Sequence, residues 1–117
     1  MSIFMKATIK VDAYKLQGFL DALLGNLVPI MEEQGWKLHG CFVERFGAIK
    51  PAVVIDIWEM EDMAHVERVM NGDSYRGDPR YQASMAILKD AVIEESVTFM
   101  SKKGGSMATI YSSPETA

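Results

Sequence analysis

Apolar and polar residues alternate with a period of two over Ile3–Val11. Ile3, Met5, Ala7, Ile9 and Val11 fall on one face, and Phe4, Lys6, Thr8 and Lys10 on the other. This predicts a strand with one apolar and one mixed face. The spacing then becomes helical over residues 13–33, where Leu16, Phe19, Leu20, Leu23, Leu27, Ile30 and Met31 form one stripe. Asp12 is placed to cap this helix and Gly35 to stop it. Pro29 lies within the pattern and removes a backbone donor, so a kink or break is expected near residues 26–29.

Two strands follow at 36–46 and 52–59, joined through Gly47-Ala-Ile-Lys50 as a hairpin. Pairing Phe46 with Pro51 sets Cys41 opposite Asp56 and His39 opposite Trp58. Trp36, Leu38, Phe42, Phe46, Val53, Ile55 and Ile57 then share one face. His39, Cys41, Val43, Arg45, Val54, Asp56 and Trp58 share the other. A register shifted by one residue would mix the two sets.

A short helical stripe (Met63, Val66, Val69, Met70) begins after Asp62 and ends at Asn71-Gly72. Asp78-Pro79 opens another helix running to about Val92, with Tyr81, Met85, Leu88 and Val92 as its apolar positions. A last strand is expected at 95–100. The order β-α-β-β-α-β is the split βαβ of an α+β, ferredoxin-like domain with a four-stranded antiparallel sheet. Right-handed crossovers place both helical layers on one face, expected to be the face of Ile3, Leu38, Phe42, Ile55 and Ile57. The other face, with Phe4, Cys41, Val43, Val54 and Trp58, is too apolar to leave wet. A second copy packing sheet against sheet, as a dimeric α/β barrel, is the economical cover. The domain is thus assigned to residues 1–101. Residues 102–117 read as a flexible tail in which 107–111 could add a short strand.

At 117 residues the chain suits a single domain. Its net charge of −4 argues against a nucleic-acid partner. The single cysteine, Cys41, cannot form an intrachain disulfide, and a cytoplasmic location is the simplest expectation. Lysines interrupt the apolar residues at the start of the chain, unlike a signal peptide. No apolar run suits a bilayer, so no membrane partner is expected. The nine methionines read as core filler.

The run Gly47-Ala-Ile-Lys-Pro-Ala-Val-Val-Ile-Asp-Ile-Trp58 and the helix start Asp78-Pro-Arg-Tyr-Gln-Ala83 resemble the NIPSNAP-like branch of the dimeric α/β-barrel proteins. Pro29 late in the first helix fits the same pattern. The resemblance covers about residues 3–100 and implies a homodimer with a pocket in each protomer. It implies no single reaction, since the wider superfamily includes cofactor-free monooxygenases, cyclases, isomerases and haem-degrading enzymes. Where such sequences often carry His two residues before the Trp, this chain has Asp56.

An Asp56–His39 hydrogen bond across the hairpin would make His39 a general base, so these two are the candidate catalytic pair. Trp58 would offer a flat wall to an aromatic or polyketide-like ligand. Thr8 or Lys6 could stabilise an enolate-like oxygen. Cys41 shares the face, and Tyr81 could rim the pocket. The same residues also fit a structural pair in a dimer interface, with Trp58 filling the barrel. Three functional readings stand: a small cofactor-free isomerase, cyclase or monooxygenase; a non-catalytic homodimeric binding or scaffold protein; and, more weakly, a haem-binding or haem-degrading protein. No metal-ligand spacing is present and no nucleotide fingerprint follows a strand, so neither metal nor cofactor is expected. His65 reads as a surface residue. Arg76-Gly77-Asp78 is explained by helix capping, and the loop 71–77 could act as a lid.

Overall fold

A computed structural model describes residues 2–44, 51–72 and 75–104. Strand β1 (Ile3–Val11) leads into a 3-10 turn at Ala13–Lys15, helix α1 (Leu16–Ala22), a π turn at Leu23–Leu27 and helix α2 (Val28–Glu33). Strands β2 (Lys37–Val43) and β3 (Ala52–Met60), helices α3 (Met63–Asn71) and α4 (Pro79–Ala91), and strand β4 (Val92–Met100) follow. The four strands form one sheet in the order β2-β3-β1-β4, with every pairing antiparallel. This is the expected α+β, ferredoxin-like arrangement. The hairpin turn Gly47–Lys50, Arg45 and Phe46, Asp73 and Ser74 of the loop, and the segment 107–111 lie outside the described residues.

Local signals act as the sequence suggests. The Asp12 carboxylate accepts from the Tyr14 N–H at 3.0 Å, Asp62 from the His65 N–H at 2.8 Å, and Asp78 from the Arg80 N–H at 2.8 Å. Each satisfies a donor that the helix start leaves unpaired. The disruption expected around Pro29 takes the form of the π turn. There the Val28 N–H bonds back to the Leu23 carbonyl, widening the helix before the residue that lacks a donor.

Which face meets the helices differs from the expectation. The buried side chains of β3 are Val54, Asp56, Trp58 and Met60, while Val53, Ile55 and Ile57 face away. The reason lies in the β1–β3 register, where Ala7 pairs with Asp56 and Ile9 with Val54. Directly opposed residues share a face, so the apolar face of β1 carries the even positions of β3 with it. The two sets on β3 are nearly equally apolar, and the strand's own pattern could not choose between them.

The hairpin register also changes part-way. Cys41 pairs with Asp56 as expected, but Leu38, not His39, pairs with Trp58. Between them β2 bulges, with Gly40 opposite Ile57 and His39 unpaired. A Cβ at Gly40 would lie 2.6 Å from the tip of the Phe42 ring, which folds over the glycine, so a larger residue there would displace that exposed ring. The bulge leaves Leu38 under the helices and Phe42 on the uncovered face, 57% exposed.

Phe19, Ile30, Val11 and Val54 fill the layer between sheet and helices, each full burial contributing roughly 1.5–3 kcal/mol. Trp36 meets Trp58 edge to face at 5.9 Å. His65, read as a surface residue, is 3% exposed. Its Nε2–H donates to the Gln34 carbonyl at 2.9 Å and its Nδ1 accepts from the Glu61 N–H at 3.2 Å, tying α3 to the turn before β2. Gly35 makes this fit: it has φ of 93°, and a Cβ would stand 3.2 Å from the imidazole.

Candidate functional site on the uncovered sheet face

The bulge at His39 turns its imidazole onto the uncovered face, toward the ends of β1, β3 and β4. Phe4 pairs with Glu59 on one side and Met100 on the other, so these three side chains rise together. His39 joins them. Its Nε2 lies 2.6 Å from Glu59 Oε1, with the two side chains 38% and 29% exposed. The Phe4 ring stands 5.4 Å from the imidazole, tilted by 58°.

A hollow of about 230 Å³ opens between Ser2, Phe4, His39, Glu59, Ser101 and Lys102. A second, of about 320 Å³, shares four of these residues and extends over Ile57 and Met100. The Glu59 carboxyl is held below its usual pKa by hydrogen bonds, first from Ser2 and then from His39. An ionised carboxylate bonded to Nε2–H fixes the imidazole tautomer and leaves Nδ1 as the basic nitrogen. The arrangement is an imidazole hydrogen-bonded to a carboxylate, beside an aromatic wall and an apolar floor.

The residues singled out from the sequence divide between the two faces. His39, Lys6 and Thr8 lie on the uncovered side, Lys6 opposite Ile57 and Thr8 opposite Ile55. Asp56, Cys41 and Trp58 lie on the helix side, so the expected His39–Asp56 contact is not formed. Tyr81 sits in the helical layer, edge to face with Tyr75 at 5.1 Å.

Asp56 is 3% exposed, and its Oδ1 has no hydrogen-bond partner. Burial pushes the carboxyl up to about 6; a hydrogen bond from Cys41 opposes the rise and the charge of Glu95 adds to it. Burial likewise pushes the Cys41 thiol up to about 12, with Asp56 contributing. A thiol so raised is a poor nucleophile at neutral pH. Among the described residues, no group of three or more His, Cys, Asp and Glu side chains is placed to hold a metal ion. Both ring nitrogens of His65 are engaged within the fold.

Glu59, Phe4, Ser101 and Lys102 were not picked out as site residues from the sequence. The available signal was Gly40, since a glycine within a strand often marks a bulge. A bulge there releases His39 from the Trp58 register and hands it to Glu59.

No protein-family model matches the chain, and no curated protein matches it either. Solved structures do. A NIPSNAP family protein from Agrobacterium tumefaciens superposes with a TM-score of 0.70 at 20% identity, covering 86% of this chain and 91% of that one. A NIPSNAP-like domain protein from Burkholderia xenovorans gives 0.73 at 15% identity, covering 97% of each chain. The fold is that of the NIPSNAP proteins. A putative antibiotic biosynthesis monooxygenase from Caulobacter crescentus is also similar, with a TM-score of 0.58 at 14% identity over 85% of this chain and 87% of that one. The NIPSNAP likeness thus spans both the sheet and the helical layer. Among the described residues no helix is long and apolar enough to cross a membrane.

Proposed function

We propose that this chain is a small cofactor-free enzyme that removes a proton next to a carbonyl in a hydrophobic, aromatic compound. His39 is the base and Glu59 its orienting carboxylate. The observation that carries this reading is the 2.6 Å His39–Glu59 contact at the edge of a hollow walled by Phe4. His39 Nδ1 takes the proton as the substrate C–H bond breaks, and the electron pair moves to the carbonyl oxygen to give an enolate. Glu59 stabilises the imidazolium. Return of the proton elsewhere gives isomerisation, attack on a second carbonyl gives cyclisation, and reaction with molecular oxygen gives oxygenation. The likeness to proteins named as putative antibiotic biosynthesis monooxygenases supports chemistry of this kind.

Lys6, two residues along β1 from Phe4, is the better placed of the two proposed enolate donors. Thr8 lies a further two residues away. A second copy covers the uncovered face in this reading, closing the hollow over Phe4, burying the exposed Phe42 and making the working unit a homodimer. A cytoplasmic setting suits the single free thiol of Cys41.

The test is hydrogen–deuterium exchange at the carbon beside the carbonyl of β-tetralone, followed by NMR in heavy water. The reading expects exchange above the buffer rate that is lost in His39→Ala. Thermal stabilisation by the ketone without exchange would favour the non-catalytic binding protein instead.

A further inference from the structure

The hollow has two chemically different ends. On the β2/β3 side stands the His39–Glu59 pair. On the other side, just beyond β4, stands Lys102, which lines both parts of the hollow. Phe4 lies between them, because β1 separates β3 from β4 in the sheet. His39 stands on β2, but its imidazole reaches over β3 to meet Glu59 and Phe4, and from β3 to β4, two strand spacings of about 4.8 Å, is roughly 10 Å. The Glu59 charge is taken up by His39 and Ser2. Among the described residues Lys102 has no ion-pair partner. The Ser101 hydroxyl beside it is a further polar group on the same wall.

We infer that the substrate is an aromatic ketone bearing a carboxylate. Its reactive C–H lies at His39, its ring lies against Phe4, and its carboxylate is seated by Lys102. The inference rests on the base reading proposed above and adds the second anchor. A bicyclic ring system matches the distance between the two ends. The roughly 320 Å³ part of the hollow is large enough to take two fused rings. A ligand pinned at both ends presents one defined carbon to Nδ1, which a neutral ketone sliding over Phe4 would not do.

The experiment compares two probes by calorimetry and by exchange in heavy water: β-tetralone carrying a carboxylate on its far ring, and the methyl ester of the same compound. Wild type should bind the acid roughly tenfold more tightly than the ester, a preference that shrinks as salt is raised. Lys102→Met should abolish the preference and Lys102→Arg should retain it. His39→Ala should keep the preference while losing exchange. Equal binding of the two probes by wild type, or a preference that survives Lys102→Met, overturns the inference. In either case His39-dependent exchange of both probes would leave the base reading standing. A Lys102-dependent preference without His39-dependent exchange would leave the anion seat and remove the base. If neither probe binds, both readings fall.

Discussion

His39 Nε2 lies 2.6 Å from Glu59 Oε1 on the uncovered face of the sheet, and the contact exists because β2 bulges at His39. Without the bulge, strict alternation would turn His39 toward Trp58 and the helices, where Asp56 is the acid within reach. One inserted residue therefore decides which acid the histidine meets. It also places the pair at an open hollow instead of in the core.

The two faces of the sheet make separable predictions about ligand binding. Trp58 lies under the helices and Phe4 lines the hollow. Phe4→Ala should weaken β-tetralone binding roughly tenfold through the loss of an aromatic contact face, while Trp58→Phe should leave it within about twofold. Titration calorimetry on the two variants is the check, and the reverse ranking would return the site to the helix side.

Asp56 gives a pH prediction with a defined sign. Its pKa is raised in the fold from 3.8 to about 6. The folded state therefore holds this proton more tightly than the unfolded chain. The stabilisation is full below the unfolded value and is lost as pH rises through the folded one. About two pKa units correspond to about 3 kcal/mol, lost between roughly pH 4 and 6. Glu33, Glu59 and Asp78 are shifted downward and act in the opposite direction. The measurement is thus the difference between wild type and Asp56→Asn in urea unfolding across this range. The variant should gain on wild type as pH rises; a constant difference would mean that Asp56 does not titrate in this window.

Gly35 and His65 form a coupled pair. Gly35→Ala places a Cβ at a φ of 93° and 3.2 Å from the imidazole. The backbone cost alone is about 1–2 kcal/mol. In a His65→Ala background the steric part should vanish and the backbone part remain. A double-mutant cycle by chemical denaturation reads the coupling, and full additivity would contradict the contact.

The ferredoxin-like order was legible because each element announces itself locally. β1 alternates cleanly, Asp12 and Asp78 cap helices, and the Leu16–Met31 stripe has one period. The sidedness of β3 was not legible, because Val53, Ile55 and Ile57 are as apolar as Val54, Trp58 and Met60. Only pairing with β1 settles it, and that is a contact distant in sequence. The Cys41–Asp56 pairing was correct, yet it could not place His39, two residues away across the bulge. Lys102 joins the hollow through the antiparallel return of β4, and nothing in its neighbourhood in the chain marks it.

Exchange of the proton beside the carbonyl of β-tetralone, compared between wild type, His39→Ala and Glu59→Gln, tests the central claim most directly. Removing the base should lower the catalysed rate by roughly 100-fold or more, and removing the orienting charge should lower it by a smaller factor. Wild-type exchange that is unchanged in His39→Ala would contradict the account.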